Sequence, residues 1–214
     1  MFLKRFSSLT LVAAIVIAVA GSGEPALCSE AATQEKNLAL LKVIEANLAK
    51  KPGDVELLCR HMQALGIARL YQDELREAEA LITKYPRLRA AYKGQMFALV
   101  GLRNWTGALA AMDKVTSLGA LSPSELATRG AILAALGRYP QALSDVNESI
   151  LRDSTDAGSF FTRADCLYKM NGPSAEVVGS LEQTLKLDPN FPNARKLLDF
   201  MTAKLSSSTA RSSR

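Results

Sequence analysis

The chain has 214 residues, of which 48% are hydrophobic and only 6% are aromatic, and its formal net charge at pH 7 is +5. No segment alternates apolar and polar residues as a half-buried strand would, which argues against a sheet. Lysine and arginine do not cluster with interleaved aromatic residues, so we expect no nucleic-acid partner.

The segment 1–28 has the composition of a secretory signal peptide. Lys4 and Arg5 give a positive start, and residues 9–20 form an uncharged, mainly apolar stretch. This stretch is shorter than the ~20 residues that span a bilayer, so we predict cleavage after Ala20 or Cys28. The mature protein is then exported, to a periplasm or outside the cell, without stable membrane insertion. The alternatives are an uncleaved membrane anchor and lipid attachment at Cys28.

Residues 29–36 are predicted to be a linker, and residues 37–51 a single helix. The apolar residues of this helix recur three or four positions apart and form one stripe: Leu38, Leu41, Ile44 and Leu48.

From residue 55 onward the sequence repeats with a period of 34. The clearest column is a leucine at positions 65, 99, 133 and 167. Two further columns keep the same step: Leu58, Tyr92, Leu126 and Phe160, and Met62, Met96, Gly130 and Ala164. A fixed period of this length indicates an array of one structural unit. The units are 55–88, 89–122, 123–156 and 157–190, in a domain that spans residues 37–205.

The unit 123–156 reads as a helical hairpin. Its first half has an apolar helical face, and Gly137 can end that helix in a left-handed turn. Its second half carries one apolar stripe, formed by Tyr139, Ala142, Leu143, Val146 and Ile150. Because Gly130 and Ala142 are small, the two helix backbones can approach closely.

This pattern resembles the tetratricopeptide repeat (TPR) family. The residues that carry the resemblance in the unit 123–156 are Leu126, Gly130, Leu133, Tyr139 and Ala142. The resemblance covers roughly residues 55–190. It implies an all-α fold, a right-handed α-α superhelix of about four TPR hairpins with capping helices at 37–51 and 192–205.

Several residues depart from the repeat pattern. Glu74 stands where alanine is usual, so we expect a looser first hairpin. Arg103 replaces a turn glycine, and one extra residue near Asn171 delays the register of the last hairpin by one step. Residues 206–214 are polar and basic and are predicted to be disordered.

The resemblance also implies where a partner binds. In such proteins the first helix of each hairpin lines a concave groove, usually through the second, fifth, ninth, twelfth and thirteenth residues of the unit. The groove residues are then Cys59, Gln63, Lys93, Phe97, Val100, Ala127, Ala131, Ala134, Phe161, Asp165, Tyr168 and Lys169. Because Phe97 stands where asparagine would be needed, a carboxylate clamp is not expected. The apolar lining favours an apolar peptide or a partner helix.

Nothing in the sequence assembles a catalytic or metal site. The one histidine, His61, has no accompanying glycine-flanked serine, and we see no metal-ligand spacing or phosphate loop. Glu74, Glu77 and Glu79 beside Arg76 read as a solvated helix face with ion pairs. We therefore predict no enzyme, no cofactor and no metal. The predicted function is an exported scaffold that binds a protein or peptide, and the alternative is a structural component that self-associates in an envelope assembly.

Overall fold

The computed structural model describes the backbone of residues 24–212 and the side chains of residues 33–206. Within this part there are ten helices and no strand. They are α1 (Glu24–Lys50), α2 (Val55–Ile67), α3 (Tyr71–Lys84), α4 (Arg89–Gly101), α5 (Trp105–Ser117), α6 (Pro123–Ala135), α7 (Tyr139–Arg152), α8 (Ala157–Asn171), α9 (Ala175–Leu187) and α10 (Ala194–Ser212). The all-α fold class, with four helical hairpins and a helix at each end, is confirmed.

The hairpins begin where the sequence period places them. The first helices start at residues 55, 89, 123 and 157, a constant step of 34. Side-chain caps fix several of these starts, because they satisfy backbone amides that have no partner inside the helix. Asp54 accepts from the amides of Glu56 and Leu57, and Ser122 with Glu125 forms a capping box at α6.

The turn inside each hairpin needs one residue in the left-handed conformation. In the four hairpins, in chain order, the positive-φ residues are Arg69, Arg103, Gly137 and Gly172, with φ values of 61°, 59°, 73° and 76°. The last of them falls one position later than the repeat period places it, so the extra residue predicted near Asn171 is present. Helix α8 has 15 residues, against 13 in the other three first helices, because it contains the extra residue and also runs directly up to Gly172.

We expect Arg103→Gly to raise the free energy of unfolding by about 0.5–1 kcal/mol. An L-residue in the left-handed conformation is strained, and glycine removes that strain although it loosens the unfolded chain. Gly137→Ala is the matched reverse change and is expected to cost about 1 kcal/mol through the backbone alone, because nothing lies within 4 Å of the added Cβ. Urea denaturation measures both. Equal effects of the same sign would contradict this account of the turns.

The chain divides into two compact units, one that ends at Ala120 and one that begins at Leu121. In the N-terminal unit, α1 lies on α2, and the α2–α3 hairpin is followed by α4–α5. One core cluster joins the hairpins through Met62, Ala78, Leu81 and Ala91. Leu41 of α1 packs with Ala64 and Leu65, so α1 covers the free side of α2.

The C-terminal unit contains α6–α7, α8–α9 and α10. Met201 of α10 follows Leu167 by one repeat period, and Ala194 follows Phe160 by the same step; Met201 and Ala194 are both completely buried. Helix α10 therefore has the register of the first helix of a fifth unit, which has no second helix in the described chain. It packs on the core formed by Ala164, Leu167 and Leu181.

The two ends differ from the boundaries drawn from sequence. The predicted signal peptide lies outside the described residues up to position 23, and α1 begins at Glu24. Residues 29–36, predicted to be a linker, lie inside α1, because they are rich in the good helix formers Ala, Glu and Gln. Disorder was predicted from Ser206 onward, but α10 continues to Ser212, since extending an existing helix is far easier than starting one.

Candidate partner-binding face

An accessible position recurs on every first helix. The ninth residue of each unit is exposed or half-buried: Gln63, Phe97, Ala131 and Asp165. The eighth and tenth residues on either side of it are buried in all four units. The thirteenth residue, one helical turn further on, is also accessible: Ile67, Gly101, Ala135 and Lys169. We call these eight residues the accessible stripe.

In the N-terminal unit, α2 and α4 lie side by side. Their part of the stripe combines an amide at Gln63 with two apolar side chains, Ile67, which is 42% exposed, and half-buried Phe97. Cys59 and Lys93 of the predicted groove are half-buried on the same two helices, and Cys59 also packs on the hairpin core. Burial first, and then the charge of Glu77, raise the pKa of the Cys59 thiol.

In the C-terminal unit, α6 and α8 are likewise neighbours. Helix α6 presents small residues, with Ala131 and Ala134 half-buried and Ala135 exposed. Helix α8 presents two opposite charges one turn apart, half-buried Asp165 and exposed Lys169. Burial raises the pKa of the Asp165 carboxyl, and Lys169 partly offsets this rise.

Two residues of the predicted groove do not reach the surface. Val100 is 0% exposed and Ala127 is 1% exposed, so both belong to the core. Their positions in the repeat are those that usually face the groove. However, repeat position alone does not report how closely a neighbouring helix covers a given side chain.

Phe161 and Tyr168 also serve packing in this structure. The centroid of the Phe161 ring lies 5.0 Å from that of Phe191. Phe161 and Leu198 of α10 both pack against the buried cluster that contains Phe191. Tyr168 packs on the core cluster that contains Leu181 and Met201. Phe191 and α10, which follow the last hairpin, thus pack against both aromatic residues that the sequence assigned to a partner, and leave them half-buried.

Two side-chain contacts join the two helices of a hairpin at equivalent positions, one in the first hairpin and one in the third. His61 Nδ1 lies 2.5 Å from Glu77 Oε2, and Arg129 donates to Asp145 through Nε at 2.6 Å and Nη2 at 2.7 Å. In both pairs the two residues occupy positions seven and 23 of the unit. This equal spacing was a signal in the sequence that could have found them. These contacts join α2 to α3 and α6 to α7, and so help to position the accessible residues of α2 and α6.

The sequence predicted that Glu74, Glu77 and Glu79 of α3 form a solvated face. This prediction is wrong for Glu74 and Glu77. Glu74 is 3% exposed, and Glu77 is half-buried against His61. Only Glu79 among the three is fully exposed. The prediction failed because the pattern of charges on one helix does not show which of them face the partner helix of the hairpin.

A surface pocket among the described residues lies away from the accessible stripe. A pocket of about 300 Å³ lies where α1 meets α2, lined by Asn47, Lys50, Lys51, Asp54, Glu56, Leu57 and Arg60. Ligand sites are typically larger and mostly apolar, whereas this lining is mainly charged. Among the residues described, no three His, Cys, Asp or Glu side chains are grouped to hold a metal ion. No described helix has the length and apolar character needed to cross a membrane.

Comparison with solved structures identifies the architecture. TTC0263, a thermophilic TPR protein of Thermus thermophilus, is 17% identical; the match covers 83% of this chain and 96% of that one, with a TM-score of 0.65. YrrB, described as a TPR protein with an unusual peptide-binding site, is 15% identical, with coverages of 76% and 84% and a TM-score of 0.60. The chain has the tetratricopeptide repeat fold.

A third structure with this TPR-like fold is MamA from Desulfovibrio magneticus RS-1. It is 11% identical, with coverages of 79% and 98% and a TM-score of 0.61. No protein-family model and no curated protein sequence matches the chain. The likeness is therefore one of TPR fold, and the residues of the accessible stripe must be judged on their own chemistry.

Proposed function

We propose that this TPR array is a scaffold that binds a protein or peptide partner through the first helices of its hairpins. The observation that supports the proposal is the accessible stripe. Each first helix leaves positions nine and thirteen exposed or half-buried while it buries positions eight and ten. Within each compact unit two first helices are neighbours, and an accessible surface on such a pair suits an extended peptide or a helix laid across them.

The chemistry of the stripe suggests what the partner carries. The face of α2 and α4 offers Ile67 and Phe97, which favour an apolar side chain. The face of α6 and α8 offers a floor of alanines beside Asp165 and Lys169, which allows close backbone approach and favours charged groups of both signs. An apolar partner segment fits the face of α2 and α4, and a partner segment with charged residues fits the face of α6 and α8.

Substitution at exposed stripe residues tests this proposal without disturbing the core. In the double variant Ile67→Glu with Ala135→Glu, we expect the amount of partner that co-purifies from the native compartment to fall at least tenfold. Charge introduced into a binding face opposes desolvation there. The matched control places the same charges on second helices, at Leu151, which is 86% exposed, and at exposed Ala110.

Far-UV circular dichroism checks that both double variants keep the helicity of the parent. Partner retention by the variant on α2 and α6, or equal loss in the control on α5 and α7, would count against the site. YrrB is described as a TPR protein with an unusual peptide-binding site. This description supports a peptide as the first class of partner to test.

We also propose that the protein acts after export. The support is the sequence of the segment 1–28, with Lys4 and Arg5 before an uncharged apolar stretch. Cleavage after Ala20 would leave α1 whole, whereas cleavage after Cys28 would remove its first turn. The intact mass of the protein from its native compartment distinguishes the two, and a full-length mass in the cytosolic fraction would exclude export.

A further inference from the structure

The first hairpin buries an acid where the next two hairpins bury a methyl group. Glu74 occupies position 20 of its unit, and the equivalent residues are Ala108 and Ala142, both 0% exposed. Glu74 itself is 3% exposed. It lies on α3, at the contact between α2 and α3, which we call the α2–α3 seam.

The Glu74 carboxyl fills space that a glycine leaves open on α2. A Cβ placed on Gly66 would lie 2.6 Å from both carboxyl oxygens. In the next unit the corresponding pair is Val100 and Ala108. The larger side chain is therefore on the first helix in that unit, but on the second helix in the unit that contains Gly66 and Glu74. The Oε2 atom of Glu74 has no hydrogen-bond partner among the described residues. A buried charge at this place would therefore lack the partner it needs.

Burial raises the pKa of Glu74 to about 8, and no neighbouring charge contributes to that rise. On α2, Arg60 pairs with Glu56, and His61 pairs with Glu77 of α3. On α4, Arg89 donates to the carbonyls of Val115 and Ala120. The other titratable or charged side chains of the turn and of the three helices around the seam are Cys59, Arg69, Tyr71, Asp73, Arg76, Glu79, Lys84, Tyr92 and Lys93.

The α2–α3 seam is also the least extensive packing within a hairpin. The looser hairpin predicted from Glu74 is thus present. On its other side α2 is joined to α1: Gln34 donates to the Ala68 carbonyl at 2.6 Å, and Asn37 donates to the Ile67 carbonyl at 3.2 Å. Opening of the seam would consequently move α1 and α2 as one piece, and it would break the His61–Glu77 contact and the packing of Met62 on Ala78 and Leu81.

We propose that the α2–α3 seam is a pH-sensitive joint, closed while Glu74 is protonated and opened when Glu74 ionises. The proposal does not depend on the proposed function. It does imply that α2, which carries Gln63 and Ile67, keeps its place beside α4 only while the seam is closed.

The direction of the effect follows from proton linkage. The folded pKa of Glu74 is raised above the ordinary value of 4.5, so the folded hairpin binds a proton that the opened hairpin releases. The stability of the closed seam is fully present below about pH 4.5 and is lost as the pH rises through about 8. Between pH 6 and pH 8 the opening equilibrium should increase about 50-fold, and it should level off at higher pH.

Amide hydrogen exchange on the whole protein, corrected for intrinsic rates, measures this opening. We expect protection in residues 55–84 to fall about 50-fold between pH 6 and pH 8 relative to residues 123–152, where Ala142 replaces the acid. Glu74→Gln keeps the shape but cannot ionise, so its protection in residues 55–84 should stay constant over this range. His61→Gln should retain the pH dependence of the parent.

Constant protection in the parent, or an unchanged pH dependence in Glu74→Gln, would overturn the proposal. Loss of the dependence in His61→Gln alone would assign it to the His61–Glu77 pair instead and would equally overturn it. If Glu74→Gln does not fold, the double variant Gly66→Val with Glu74→Ala carries the same expectation. This double variant gives the first hairpin the same two residues that the second hairpin has at the equivalent positions, Val100 and Ala108.

Discussion

Phe191→Ala should destabilise the C-terminal unit by about 3–5 kcal/mol, the usual cost of removing a buried phenyl ring. Phe191 is 5% exposed and lies in a cluster with Leu185 and Ala194, with its ring against that of Phe161. It is the residue that attaches the start of α10 to the last hairpin. We therefore expect α10 to detach at low denaturant and the ring of Phe161 to become accessible.

Repeat arrays can unfold in parts, so the measurement must be local. Hydrogen exchange in residues 157–205 as a function of urea gives the stability of α8, α9 and α10 separately. Phe200→Ala is the matched control, since it removes the same ring from α10 at a position that is 46% exposed. It should cost less than about 1 kcal/mol. Equal losses in the two variants would mean that Phe191 does not anchor the helix.

Asp145→Ala is the second change with a large expected effect, about 2–3 kcal/mol in the α6–α7 hairpin. The Asp145 side chain is 8% exposed, and its carboxylate accepts two hydrogen bonds from Arg129. Removing one partner of a buried pair leaves an uncompensated charge, which typically costs about 3–5 kcal/mol. We expect somewhat less here, because the Arg129 side chain is 26% exposed and can reach water.

The chain itself supplies the control for this pair. In the second unit the equivalent positions hold Gln95 and Ala111, a neutral combination that packs in the same fold. Arg129→Gln with Asp145→Ala should therefore recover most of the stability lost in Asp145→Ala. Local stability in residues 123–152, again from hydrogen exchange against urea, decides this. A double variant as unstable as the single one would show that lost packing, and not an orphaned charge, is the cause.

The repeat columns predicted the fold because they record burial. The leucines at 65, 99, 133 and 167 must face neighbouring helices in any array with this period. The hairpin boundaries followed from the caps and turn residues between the columns. Even the departures were informative, since Glu74 marked the loosest hairpin and Asn171 marked the lengthened helix α8.

The candidate site was harder to predict, because accessibility depends on more than repeat position. Gln63 and Ala131 remain accessible, but Val100 is buried by its neighbours, and Phe161 is covered by a segment that follows the last hairpin. The exposure of Phe161 depends on Phe191, which lies beyond the last full repeat. A pattern inside one unit cannot show what the next segment of chain covers.

Position-resolved photo-crosslinking in the native compartment tests the central claim most directly. A photoreactive amino acid is placed, one site at a time, at the ninth position of each unit, at Gln63, Phe97, Ala131 and Asp165. The comparison set is exposed on the second helices, at Glu79, Asp113, Asn147 and Glu182. We predict a discrete adduct with one partner from the first set and none from the second. Adducts from the second set alone, or equally from both, would contradict binding through the first helices.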